Sequence, residues 1–254
     1  MANVIAQDVK DVLHRSTIEG NALRLPSGQL DRSLYQSVNK ILTALGGKWD
    51  RKSATHIFDA DPAARISDAL SAGRAISRQQ SLQFFETPLT LASDLVSRLH
   101  ITPQDHCLEP SAGHGRIIAA LADRGAKHID AVEIDPDNAD HLRAQGLAST
   151  VITSDFLAFD AKGQKYGAIA MNPPFRGNQD ISHVRQAFSL LQPGGRLAAI
   201  VSEHGFIGSE KTCVEWRNWL SEIGAGIERI PAGAFKHSGT LIPTRMVLLK
   251  RAAA

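Results

Sequence analysis

The chain has 254 residues, 43% of them hydrophobic and 21% charged, which suits one sizeable α/β domain with a small appendage and excludes a disordered or fibrous protein. With 28 Lys and Arg against 26 Asp and Glu, the net charge of +2 excludes a surface uniformly built for a polyanion, so any nucleic-acid contact must be a local patch. Cys107 and Cys213 match no zinc or redox spacing, the first thirty residues lack an apolar signal core, and no apolar run approaches the roughly 18 residues of a membrane span. A cytoplasmic setting is therefore expected, without a metal site.

Residues 1–20 scatter the apolar positions Val9, Val12 and Leu13 among charges and read as a weak helix or arm. Residues 22–26 alternate as a short strand, Ser27-Gly28 turns, and Asp31 is placed to cap a helix. That helix carries Leu34, Val38, Ile41, Leu42 and Leu45 on one face and ends at Gly46-Gly47. Residues 48–52 and 55–58 then read as a small hairpin. There Lys48, Arg51 and Lys52 surround Trp49, either a group that grips a phosphate backbone and stacks on a base, or a Trp core beneath a solvated turn. Asp61-Pro62 opens a helix that ends near Gly73, and the polar run 76–83 reads as a linker. The expected division is a small α+β domain over 1–80 and a second domain over 81–254.

In the second domain strands alternate with helices, the pattern of a parallel sheet. Thr87-Pro88 is expected to cap a helix with Leu91, Leu95, Val96 and Leu99 along one side. Strands are predicted over 106–109, 129–134, 150–153 and 169–171, with helices over the end of 113–124 and over 136–145 between them. Asp180 is expected to cap a helix to residue 191 that Gly194-Gly195 stops. A fifth strand over 196–202, a Trp-containing helix over 210–223 and an antiparallel pair over 227–230 and 246–249 complete the chain.

Four polar residues fall just beyond successive strands. Glu109-Pro110-Ser111-Ala112-Gly113-His114-Gly115 lies where the first strand hands over to a helix, the position for a ligand in an open α/β sheet. Glycines at 113 and 115 admit a close backbone approach, and the pattern suits a zwitterionic amino-acid tail better than a pyrophosphate. Glu133, at the second strand end, can take two ribose hydroxyls, while Asp155 and Phe156 after the third offer an acceptor and an apolar wall to an adenine. Met171-Asn172-Pro173-Pro174-Phe175 follows the fourth. Its prolines have no amide hydrogen, so the Asn172 amide oxygen and a proline carbonyl can accept both hydrogens of an exocyclic amine while Phe175 stacks on the ring. An Asn-Pro turn over a core Phe is the plainer alternative.

Taken in order, EPSAGHG, VEIDP, SDF and NPPF, with Phe85-Glu86-Thr87-Pro88 upstream, resemble the motifs of class I S-adenosylmethionine-dependent N6-adenine DNA methyltransferases. The run from Asn172 through Gln179-Asp180-Ile181 and His183-Val184, then Pro193-Gly194-Gly195-Arg196, is similar to small phage and mobile-element members. So is Ala232-Gly233-Ala234-Phe235-Lys236 with Ser238-Gly239-Thr240 and Thr244-Arg245. The resemblance implies a Rossmann-like seven-stranded sheet whose last strand is antiparallel, and a flipped adenine in double-stranded DNA as substrate. It implies that Phe85, Thr87, Pro88, Glu109, Pro110, Ser111, Ala112 and Gly113 contact the methionine end of the cofactor. Glu133 would hold its ribose, and Ile134, Asp155 and Phe156 its adenine. Asn172, Pro173, Pro174 and Phe175 would orient and stack the target, with Asn172 also counted among the cofactor contacts, and no dedicated base is needed, which leaves His114 and His204 to structural roles.

The resemblance says little about residues 1–80. Recognition is expected from them or from the loops 176–179 and 236–241, with Lys48, Trp49, Arg51, Lys52, Arg176, Lys211, Arg217, Lys236 and Arg245 as candidate DNA contacts. Methylation of RNA bases or of a protein glutamine is the second reading, and a nucleic-acid-binding module with a vestigial cofactor pocket the third. Oligomeric state is not legible.

Overall fold

The computed structural model describes residues 3–28, 30–75, 86–231, 233–235 and 242–253. Phe85, Lys236, the run 76–83 and Ser238-Gly239-Thr240 lie outside them. Two compact units divide the chain, 1–82 and 83–254.

In the first unit β1 (Asn3–Val4) pairs with β6 (Arg74–Ala75), and β2 (Thr17–Glu19), β3 (Ala22–Arg24), β4 (Lys48–Asp50) and β5 (Thr55–Ile57) form an antiparallel sheet in the order β2-β3-β5-β4. Of the weak helix or arm expected at the start, a helix forms, Gln7–His14, whose Val9, Val12 and Leu13 are buried. They pack in one core with Val38, Ile41 and Leu42 of the helix Arg32–Ala44. Asp31 starts that helix as predicted, accepting the amides of Ser33 and Leu34. The helix Ala63–Ala72 ends at Gly73, whose φ of +65° suits the left-handed cap. β4 is one of the two edge strands, and Trp49 on it is 42% exposed, touching Tyr35 and His56 edge-on. The tryptophan is thus a surface ring with exposed Lys48, Arg51 and Lys52 around it, not a core residue.

The second unit holds a seven-stranded sheet. Its strands are β7 (His106–Glu109), β8 (His128–Glu133), β9 (Thr150–Thr153), β10 (Tyr166–Met171), β11 (Leu191–Ser202), β12 (Gly226–Arg229) and β13 (Thr244–Lys250), in the order β12-β13-β11-β10-β7-β8-β9. Neighbours from β9 to β11 are parallel, and β13 runs antiparallel to both β11 and β12. Every residue of the central strand β10 is buried, and the two-residue period sends Ala168 and Ala170 to one face, Ile169 and Met171 to the other. Leu91, Leu95, Ile117, Leu121 and Leu142, from the helices Leu89–Ser97, Arg116–Asp123 and Pro136–Gln145, cover the first face. Ile181, Val184 and Ala187 of the helix Gln179–Leu190 and Cys213, Trp216 and Leu220 of the helix Lys211–Glu222 cover the second. Each fully covered leucine or isoleucine contributes about 1.5–3 kcal/mol relative to exposure.

Three expectations need correction. Thr87 does not cap the helix Leu89–Ser97; Pro88 stands at that position without a side-chain bond, and the threonine hydroxyl is used elsewhere. Asp180 lies inside its helix, which begins at Gln179 from the left-handed Asn178, and its carboxylate is likewise engaged elsewhere. β11 begins at Leu191 rather than 196, because pairing jumps from Tyr166–Leu191 to Ala168–Arg196 and takes up Gly194-Gly195 as a bulge. The short helix His204–Ile207 after β11 has no periodic signal in the sequence and is an addition to the expected elements.

Candidate active site

Strand order places the polar residues of the motifs along one sheet edge. β9, β8, β7 and β10 are consecutive neighbours, and just at or beyond their carboxyl ends stand Asp155, Glu133, Glu109 and Asn172. The chain leaves β7 for β8 on one side and reaches β10 on the other, so the direction of winding changes between Glu109 and Asn172, where an open α/β sheet leaves a crevice.

Glu109 is 1% exposed, and neither of its carboxylate oxygens has a hydrogen-bond partner among the described residues. Burial pushes its pKa well above the usual carboxylate range; the Ser111 amide opposes this without closing a full hydrogen bond, and Glu133 adds to it. A buried acid in this state is costly alone and is relieved by a cation, which is what an ammonium group would bring. The adjoining loop is held by its own backbone: the Gly113 amide donates to Glu133 Oε2 at 2.6 Å, and the Asp135 amide to Glu133 Oε1 at 2.8 Å. Each Glu133 oxygen thereby keeps a further lone pair for a hydroxyl. Gly113 has a φ of +51°, as a tight approach requires. Gly115 also serves packing: a Cβ there would stand 2.6 Å from Gln145 Oε1 and 2.8 Å from Leu142 Cδ2, so the helix Pro136–Gln145 can close on it only because it is a glycine.

Along the rest of the crevice Ile134 is 51% exposed, an apolar side chain standing open beside Glu133. Asp155 is exposed and caps the turn Phe156–Ala158 through the Leu157 amide. Phe156 is buried, stacked on Phe159 and tilted against His183, with ring centroids 6.1 and 5.4 Å apart. His183 Nδ1 lies 3.5 Å from Ser111 Oγ, and burial lowers its pKa to about 4 despite Asp155, so the ring is neutral near pH 7. These residues fit the group that the motifs imply: an acid for an ammonium, a carboxylate for hydroxyls and an apolar rim for a base.

At the end of β10 the Asn172 side-chain nitrogen donates to Thr87 Oγ1 at 3.0 Å. This directs the amide nitrogen toward Thr87 and the amide oxygen away from it. Pro173 is buried, and Phe175 is half-buried, its ring against the core that also contains Phe235. Gly177 and Asn178, both with φ of +62°, then reverse the chain into the helix Gln179–Leu190. Within that helix Asp180, 1% exposed, accepts both the amide and the hydroxyl of Ser202 at 2.8 Å, tying the corner to the end of β11.

Several of the expected DNA contacts are already engaged. Arg245 makes a paired ion bond to Glu203 at 2.6 and 2.7 Å and lies over the Phe206 ring, and Arg217 donates to the carbonyls of Gly205 and Gly208. Lys211 and Arg176 are exposed. Motif reasoning gives Asp180 and His183 no functional role, although two polar residues three apart on the buried face of one helix are a visible signal. A cavity of about 530 Å³ bounded by Glu203, Arg229, Phe235 and Thr244, at the same sheet edge, has no such signal.

A family model described as methyltransferase small domain matches residues 89–212, just under half of the chain. A solved protein of Listeria monocytogenes, assigned as a class I S-adenosylmethionine-dependent methyltransferase, superposes with a TM-score of 0.51 at 13% identity, over 66% of this chain and 61% of that one. The assigned modification subunit of a type I restriction enzyme from Vibrio vulnificus gives 0.57 at 13% identity, over 99% of this chain and 66% of that one. The 23S rRNA methyltransferase ErmE gives 0.51 at 20% identity, over 67% and 70%. This chain spans less than two thirds of the length of the first two. No curated protein sequence matches it significantly. The unit 83–254 thus has the Rossmann-like fold of the class I S-adenosylmethionine-dependent methyltransferases.

Proposed function

We propose that this chain binds S-adenosylmethionine and methylates the N6 amine of an adenine turned out of double-stranded DNA. The observation that carries the reading is the Asn172 amide, fixed by Thr87 at the end of β10, one strand from the buried Glu109 carboxyl. When bound, the cofactor supplies a sulfonium methyl group open to in-line attack. Glu109 answers the ammonium, Glu133 the ribose hydroxyls, and Ile134 covers the adenine. Asn172 and the Pro173 carbonyl accept the two hydrogens of the target amine, which localises the nitrogen lone pair toward the methyl carbon, and Phe175 stacks on the ring. The amine proton leaves to solvent after transfer, so no side-chain base is required, and His183, with its pKa lowered to about 4, is a weak one.

DNA is favoured because the type I modification subunit shares its fold with nearly the whole chain, first unit included. On the surface of that first unit the exposed Trp49, with Lys48, Arg51 and Lys52, offers a base-stacking and phosphate-binding edge. RNA is the second reading, supported by the fold shared with ErmE. Incubation with methyl-labelled cofactor and either duplex DNA or RNA, followed by digestion to nucleosides, separates them. The expected product is N6-methyldeoxyadenosine, with Asn172→Ala losing about 100-fold or more in rate while still binding cofactor. Label in RNA or protein alone, or an unimpaired Asn172→Ala enzyme, would overturn the proposal.

A further inference from the structure

The segment after β11 gathers three metal-ligating side chains that the cleft does not use. His204 opens the short helix His204–Ile207, Glu210 immediately precedes the helix Lys211–Glu222, and Cys213 lies in its first turn. Their ligand atoms all lie within 4.8 Å of one another, and among the described residues no other trio of His, Cys, Asp or Glu does so. His204 Nε2 and Glu210 Oε1 are 3.0 Å apart. Two ligands each about 2.0 Å from a tetrahedral zinc ion stand roughly 3.3 Å apart, so little movement is needed to admit one.

The backbone between these residues makes room for them to converge. A Cβ on Gly208 would overlap the Glu210 carboxylate and stand 2.8 Å from Cys213 Sγ, so a larger residue there would drive the two ligands apart. From the other side Asn178 Oδ1 approaches to 4.0 Å from Cys213 Sγ, held there by the left-handed turn that follows Phe175. His204 and Glu210 are about half exposed, which leaves an entry path, while the sulfur is buried.

We propose that His204, Glu210 and Cys213 bind a borderline-soft divalent cation, zinc by the chemistry of a thiolate, imidazole and carboxylate set, with the Asn178 amide oxygen as fourth ligand. On binding, the Cys213 thiol proton goes to solvent, the cation takes the place of the proton between His204 Nε2 and Glu210, and the neutral ring carries that proton on Nδ1 instead. The ion fastens the segment after β11 to the turn behind Asn172 and Phe175, and it touches none of the residues assigned to the cofactor or the target. The spacing His204, Glu210, Cys213 repeats no zinc motif, which is why the cysteine count predicts no metal.

Titrating the metal-free full chain with Co²⁺ tests this directly. The expected result is one ion per chain with tetrahedral absorption and a sulfur-to-cobalt charge-transfer band, both displaced by Zn²⁺. Cys213→Ser should remove the charge-transfer band, and Glu210→Gln, an exposed change that leaves folding intact, should weaken binding by about tenfold or more. A wild-type chain without the band, a band that survives Cys213→Ser, or wild-type affinity in Glu210→Gln would each overturn the assignment.

Discussion

Thr87→Val tests how the proposed catalytic corner is aimed, because valine keeps the shape of threonine and removes only the hydroxyl that receives the Asn172 amide at 3.0 Å. Thr87 is 6% exposed, so water does not readily take the hydroxyl's place. A lost neutral hydrogen bond costs about 1 kcal/mol, rising to about 3 kcal/mol where the acceptor is not replaced. At 1.4 kcal/mol per factor of ten, the amide should present its oxygen correctly about 5- to 150-fold less well. That loss belongs to the methyl-transfer step, so it should appear in the single-turnover rate at saturating cofactor and DNA, with the KM for DNA changed only a few-fold. Thr87→Ser restores the acceptor and should recover most of the rate. A Thr87→Val rate within about twofold of wild type, or a serine variant as slow as the valine one, would refute the positioning argument.

The remaining predictions concern stability and binding. Glu109 ionises near 4.5 when unfolded but well above that when buried, so its contribution to stability falls as pH rises from 4.5 toward the folded value. Glu109→Gln should therefore melt a few degrees above wild type at neutral pH without ligand, with the gap closing below pH 4; no gap at neutral pH would refute the buried-acid assignment. Gly115→Ala adds a Cβ at a φ of +83° and against Leu142 and Gln145, and should cost about 1–3 kcal/mol in urea denaturation. Trp49→Ala removes a ring that is 42% exposed and touches only Tyr35 and His56 edge-on among aromatic rings of the described residues, and should lower the melting temperature by only a few degrees while weakening DNA binding by about 1–3 kcal/mol in fluorescence anisotropy. Replacing Lys48, Arg51 and Lys52 should flatten the salt dependence of binding by about 1 for each phosphate no longer neutralised, and unaltered binding in both sets would place the DNA surface elsewhere.

Most strands and helices are legible in the sequence because their signals are local. The face of Val38, Ile41 and Leu42, the capping Asp31 and the proline-started helix Pro136–Gln145 all appear where the periodicity puts them. The parallel sheet follows from the alternation of elements, and the alignment of Asp155, Glu133, Glu109 and Asn172 along one sheet edge from polar residues falling at successive strand ends. The illegible part depends on partners distant in sequence. Thr87 and Asp180 both look like helix caps in their own neighbourhoods, yet one serves Asn172, 85 residues away, and the other Ser202, 22 away. Gly115 looks only like part of a ligand loop, and its packing against Leu142 and Gln145 is invisible in the sequence. Arg217 and Arg245 count as free charges in a sequence, and only the fold shows the carbonyls and the carboxylate that use them.

The Asp180 carboxylate has a practical consequence for anyone wishing to redirect this chain to a different substrate. By gripping the last amide and hydroxyl of β11 from within the neighbouring helix, it makes the corner and the adjacent strand move as one mechanical piece. Altering either half therefore shifts both, and libraries that vary Ser202 or Asp180 will mostly sample misaligned proteins. Ile207, 71% exposed at the end of its short helix, takes no part in that grip and can be varied without loosening it.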